Sequence, residues 1–175
     1  MKLIVTYCKS RGISLNNKIP WNFKSYLPYF NNFTIGNCNN AVIMGNKTWQ
    51  SIGSKSLPKR TNIILTRKKN TRISPPEKIN EKRPRIFMNS FQETIDFCQR
   101  KKFDDIWVIG GSNLYNYTML NNYIKEVHVA FVNNEFICDS VFNPLPPQFT
   151  LVQQSNYHQD NEILYRHLVY KNHKL

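Results

Sequence analysis

The chain has 175 residues and a mass of 20.7 kDa, with 41% hydrophobic and 20% charged residues; this suits one domain with an enclosed core and excludes a disordered tail. No apolar run reaches the roughly 20 residues that a bilayer-spanning helix needs, and the apolar stretch near Met1 is too short for a secretion signal, so a soluble protein of a cytoplasm-like compartment is expected. The formal charge of +13 lies entirely in residues 1–76, which hold 13 Lys or Arg and no acid. Such a half either attracts anions (phosphates, carboxylates, nucleic acid) or is a plain solvated surface.

Residues 2–8 (KLIVTYC) read as a strand, and residues 9–22 as a polar loop closed by Ile19, Pro20 and Trp21. Phe23, Tyr26, Leu27, Phe30 and Phe33 then share one helical face. Pro28 is tolerated only in a first turn, which makes Ser25 the predicted N-cap. Residues 40–44 (NAVIM) form a buried strand, and Gly45, Asn46, Lys47 and Thr48 open a short helix. Residues 60–66 form a strand, 67–84 a basic, proline-containing loop, and 85–88 a short strand. Ser90 and Glu93 form a capping box for the next helix. Residues 105–109 are an apolar strand, Gly110 and Gly111 lead into a helix over 112–119, and 124–132 is a strand. Residues 150–156 and 162–170 read as a terminal antiparallel hairpin. Strands alternating with helices predict an α/β fold, a single domain with a mostly parallel central sheet flanked by helices.

Cys8, Cys38, Cys98 and Cys138 show no CxxC pair and no ligand spacing, so no metal is expected and the thiols read as reduced and mostly buried. Two helix starts follow directly on buried strands, at Gly45–Thr48 and at Gly110–Ser112. Backbone N–H groups at such starts bind anions, and glycine lets a phosphate come close. Each pair is either a phosphate cradle or a simple turn; two in one sheet suit a dinucleotide pyrophosphate.

Five segments, taken in order, resemble the dihydrofolate reductase family, NADPH-dependent enzymes that make tetrahydrofolate. They are Gly12-Ile13 with NKIPW (17–21), VIMGNKTWQSIG (42–53), LPKRTNIILTR (57–67), IWVIGGSNLY (106–115), and Val127 through DSVFNP (139–144). The resemblance spans nearly the full chain. It implies NADPH as cofactor, dihydrofolate as substrate, a monomer, and no role for nucleic acid or membrane. It implies cofactor contacts at Gly45, Asn46, Lys47 and Thr48, at Ile109, Gly110, Gly111, Ser112, Asn113, Leu114 and Tyr115, and at Thr66 and Arg67 on the 2′-phosphate side. It implies a substrate pocket walled by Ile4, Leu27, Phe30, Ile52 and Leu57, with Arg60 pairing with the glutamate α-carboxylate. On residue type alone, Leu27 and Phe30 could equally be core, Arg60 and Arg67 solvated strand ends, Trp21 and Trp49 packing groups, and His128 a satisfied or exposed side chain.

The chain departs from the family at its polar pterin contacts. The family's carboxylate at the start of the first helix aligns with Tyr26, and its threonine in the strand at 127–132 aligns with Ala130. Nothing acidic precedes Glu77. A phenol is neutral at pH 7 and cannot offer two anionic oxygens, so pterin recognition should weaken and protonation at N5 is the exposed step. Tyr26, with Trp21, is the candidate catalytic residue. Three functions stay open at this point: a dihydrofolate reductase with an altered donor, a reductase of another heterocycle, and a weakly catalytic relative that holds NADPH or a partner.

Overall fold

The computed structural model describes residues 1–22, 24–67 and 85–175. Its elements in chain order are β1 (Lys2–Cys8), β2 (Gly12–Ser14), α1 (Tyr26–Ile35), β3 (Ala41–Gly45), α2 (Asn46–Ser51), β4 (Thr61–Leu65), β5 (Arg85–Met88), α3 (Phe91–Lys101), β6 (Ile106–Gly110), α4 (Ser112–Leu120), β7 (Glu126–Val132), β8 (Ser140–Val141), β9 (Phe149–Gln154), β10 (His158–Asp160) and β11 (Ile163–Asn172). One nine-stranded sheet runs β10-β11-β7-β1-β6-β3-β4-β5, with β9 also on β11. The steps from β7 to β5 are parallel, while β11 lies antiparallel to β7. The expected α/β fold with a mostly parallel sheet is therefore present. The predicted loop over 67–84 falls, from residue 68 on, outside the described residues.

Strand alternation sorts the apolar side chains onto two faces. Leu3, Val5, Val108, Val127 and Val129 pack with Tyr115 and Met119 of α4. Ala41, Ile43 and Ile63 pack with Cys98 of α3. The opposite face carries Ile4, Val42, Met44, Ile64 and Trp107, against which Tyr29, Phe30 and Phe33 of α1 are laid. Ser90 caps α3 as expected, its hydroxyl accepting from Glu93 N at 3.4 Å.

Four sequence expectations change. The loop over 9–22 contains β2, which pairs antiparallel with β8; neither short strand has enough alternation to be seen in the sequence. Ser25 does not cap α1 with its side chain, because its own backbone is already helical (φ −65°, ψ −18°). Its N–H and hydroxyl instead donate to Asp160, at 2.8 and 2.6 Å, so a carboxylate from β10 sits at the helix start. An anion there is favoured by the helix dipole, and these bonds hold the Asp160 carboxyl below its usual range. The tight hairpin at the C-terminal end is β10–β11, while β9 continues along the same edge of β11. Of the four thiols, Cys8 and Cys98 are buried, Cys138 is partly covered and Cys38 is exposed. No helix among the described residues is long and apolar enough to cross a membrane.

Candidate active site

β3 and β6 are neighbouring parallel strands, and each ends in glycine where a helix begins. The starts of α2 and α4 therefore lie side by side at one edge of the sheet. A Cβ added to Gly45 would lie 3.8 Å from Gly110 O and 3.9 Å from Gly111 N. One added to Gly110 would meet the Tyr115 phenol oxygen at 3.2 Å and Thr48 Oγ1 at 3.4 Å; one added to Gly111 would meet Thr48 Oγ1 at 3.4 Å. The three glycines thus leave open a cradle edged by Thr48 and Tyr115 that side chains would fill. The Gly110–Gly111 peptide is cis, and Gly110 has φ 125°, a conformation open to glycine. Ile109, Ser112 and Asn46 are half-buried, Lys47 and Asn113 are exposed, and half-buried Leu114 packs against the core beneath α3 and α4. Ser112 Oγ accepts from Ser140 Oγ at 3.2 Å, tying α4 to β8.

Tyr115 itself is buried, and its phenol donates to Ile4 O at 2.9 Å. Burial pushes its pKa well up, with the Tyr26 phenol adding to the shift. Tyr26, in the first turn of α1, packs against the group formed by Trp21, Ala130, Ile163 and Tyr165. Burial, then the nearby Tyr29, also pushes the Tyr26 phenol up, so it is fully neutral at pH 7. Trp21 is 7% exposed and lies 5.3 Å from the ring of Phe136, a packing environment. On α1, Tyr26 and Phe30 stand one turn apart with ring centroids 6.0 Å apart. Phe30, Ile52 and Leu57 gather with Ile4, whereas Leu27 is 63% exposed.

Arg60 is the most informative charge. It is 2% exposed, buried where β4 begins. Its Nε donates to Pro58 O at 2.8 Å, one terminal nitrogen to Asn31 Oδ1 at 2.8 Å, and the other to the hydroxyl of Thr34. The Thr34 hydroxyl in turn donates to Phe30 O at 2.7 Å, and the Phe30 ring lies under the guanidinium at 5.6 Å. Three of five N–H donors are thereby engaged. No carboxylate among the described residues pairs with it. Burial lowers its pKa to about 10, which still leaves it charged at pH 7. Asn31 and Thr34 carry no sequence signal for this task; only the helix turn that brings both to one side of α1 shows it.

At the end of β4, Thr66 is buried and Arg67 exposed; Thr66 N donates to Met88 O at 2.9 Å. His128 is 4% exposed, in the position of a packed and paired residue: its Nε2 bonds Glu126, and its ring lies 4.6 Å from Phe33 and 5.0 Å from Trp107. Burial lowers the His128 pKa against the opposing pull of Glu126. Nearby, His167 of β11 stacks on Tyr29 of α1 at 3.6 Å, an unforeseen contact that seats the helix. Tyr29, Phe33, His128 and His167 edge a cavity of about 570 Å³, with Glu126, Val152 and Lys171, that includes none of the predicted site residues.

Against known proteins, the family model described as dihydrofolate reductase matches residues 1–174. A dihydrofolate reductase of Aedes albopictus is 27% identical over 184 residues, covering 97% of this chain and 95% of its own length. Those of Buchnera aphidicola and Staphylococcus haemolyticus are each 33% identical over 142 residues, covering 81% of this chain and 76% and 75% of their own lengths.

Proposed function

The chain belongs to the dihydrofolate reductase family, and from that premise we propose that it reduces 7,8-dihydrofolate to tetrahydrofolate with NADPH, through a site that has no carboxylate at the pterin. The observation that carries the reading is Arg60: a buried, charged guanidinium that no carboxylate among the described residues pairs with, and of whose five N–H donors three are engaged there. Burying such a cation costs several kcal/mol unless an anion meets it, and a carboxylate matches its fork in both shape and charge. A substrate with a carboxylate tail supplies that anion. A reductase of an uncharged heterocycle would have no use for it.

The glycine cradle fits a dinucleotide. Its three glycines keep open the space between two helix starts that a pyrophosphate would enter, with the Thr48 hydroxyl at its edge. Thr66, Arg67 and Lys47 would hold the 2′-phosphate side. NADPH supplies a hydride when bound. The residues of the chain do the rest. Ile4, Phe30, Ile52 and Leu57 form an apolar wall that orients the pterin and excludes water. Leu27, 63% exposed in the free protein, would be covered by ligand, a burial worth about 1–2 kcal/mol.

Tyr26 takes the position beside the pterin edge. A phenol whose pKa is pushed up is a poor acid, so Tyr26 orients the ring and holds a water that delivers the proton to N5, rather than giving up its own. Trp21 braces the start of α1. One domain acting as a monomer in the cytoplasm completes the reading. It is tested by following NADPH consumption with and without dihydrofolate. Oxidation that depends on dihydrofolate and yields tetrahydrofolate supports the assignment; NADPH binding without turnover at any pH between 5 and 8 refutes it.

A further inference from the structure

Thr6 is a buried polar residue of β1. It lies on β1 two residues after Ile4, so alternation puts both on the same face of the sheet. The β1–β7 register sets it directly beside Ala130, the position where the resemblance expects a hydroxyl and the chain has only a methyl. Thr6 is 6% exposed, and its Oγ1 donates to Ala130 O at 3.0 Å. A hydroxyl has one proton. With that proton given to the backbone, the oxygen can only accept. Ala130 in turn belongs to the group against which Tyr26 packs.

We propose that Thr6 is a substrate contact: its hydroxyl oxygen, held at Ala130, joins the Tyr26 phenol, which packs on the Ala130 group, as the second neutral acceptor for the two adjacent N–H donors on the pterin edge. The inference rests on the reading of the chain as a dihydrofolate reductase. The 2-amino group and N3–H of the ring both donate. A carboxylate meets them with its two oxygens; this chain meets them with two uncharged oxygens from different elements, α1 and β1. The hydroxyl missing at Ala130 is thus restored one strand away, on the same face of the sheet.

A threonine that only ties two strands together would show the same bond to Ala130 O, so the test separates contact from scaffold. Thr6→Val keeps the branched shape and removes the oxygen; Thr6→Ser keeps the oxygen. The dissociation constants of dihydrofolate and NADPH, KM, kcat and Tm are measured for each. The contact predicts that Thr6→Val weakens dihydrofolate about tenfold and leaves the NADPH dissociation constant unchanged, while Thr6→Ser stays within about twofold of wild type. A second variant moves the hydroxyl: Thr6→Ala combined with Ala130→Thr should recover most of what Thr6→Ala alone loses. It decides the matter if Thr6→Val does not fold. Unchanged dihydrofolate binding in Thr6→Val, equal losses for both ligands, or a folded double variant no better than Thr6→Ala each overturn the assignment. Wild-type protein that never reduces dihydrofolate overturns the functional reading instead.

Discussion

Replacing Arg60 by leucine removes the charge and keeps an apolar stem. In the free protein, Asn31 Oδ1 and Pro58 O lose their donor, while Thr34 keeps its bond to Phe30 O. Each unpaired buried acceptor costs about 1–3 kcal/mol, partly offset because a buried cation is no longer desolvated. Tm should fall by a few degrees, and Arg60→Lys, which keeps the charge but not the fork, should fall less. The effect on substrate is larger and selective. Two charge-assisted bonds to a carboxylate contribute about 3 kcal/mol together, so KM for dihydrofolate should rise about 150-fold. A reduced pterin lacking the glutamate should bind Arg60→Leu and wild type alike, as should NADPH. The assay is steady-state NADPH oxidation with both substrates, alongside thermal unfolding. If both pterins lose affinity equally, or dihydrofolate loses none, Arg60 is a structural cation and does not meet a substrate carboxylate.

Tyr26→Asp should restore an anion at the pterin, raising dihydrofolate turnover and strengthening diaminopyrimidine antifolates at least tenfold; a folded variant that improves neither removes Tyr26 from the pterin edge. The cavity left by the ring would cost about 2–4 kcal/mol, so Tm is measured alongside. Arg67→Ala should weaken NADPH by about tenfold and leave NADH nearly unchanged; equal losses in direct titrations would move the 2′-phosphate elsewhere. His167 is half-buried, and that desolvation, with nearby His158 and His128, pushes its pKa down to about 4. A histidine that is neutral when folded gives its full stability above its unfolded pKa near 6.5. That stability is lost as the pH falls, up to about 3 kcal/mol by pH 4. Unfolding free energy measured from pH 7 to 4 should therefore drop, and His167→Phe should flatten that slope; an unchanged slope would assign it to other groups.

Periodicity and punctuation in the sequence were sufficient for the main architecture. The apolar runs at 2–8, 40–44 and 105–109, with glycine after the last two, define a parallel sheet with helix starts at one edge, because local chain geometry alone decides these. The VIMG and IGG segments carry the family in the same local way. What depended on distant partners could not be read locally. Asp160 reaches the start of α1 from a strand 135 residues on. Thr6 meets Ala130 only through the β1–β7 register. His167 meets Tyr29 because β11 returns antiparallel to β7 beneath α1. On residue type alone Arg60 could equally be a solvated strand end; that Asn31, Thr34 and Pro58 close around it shows only in the fold. Tertiary structure alone decides whether a side chain's charge is left without a counter-ion, because burial and the absence of a partner are properties of the surroundings and not of the residue.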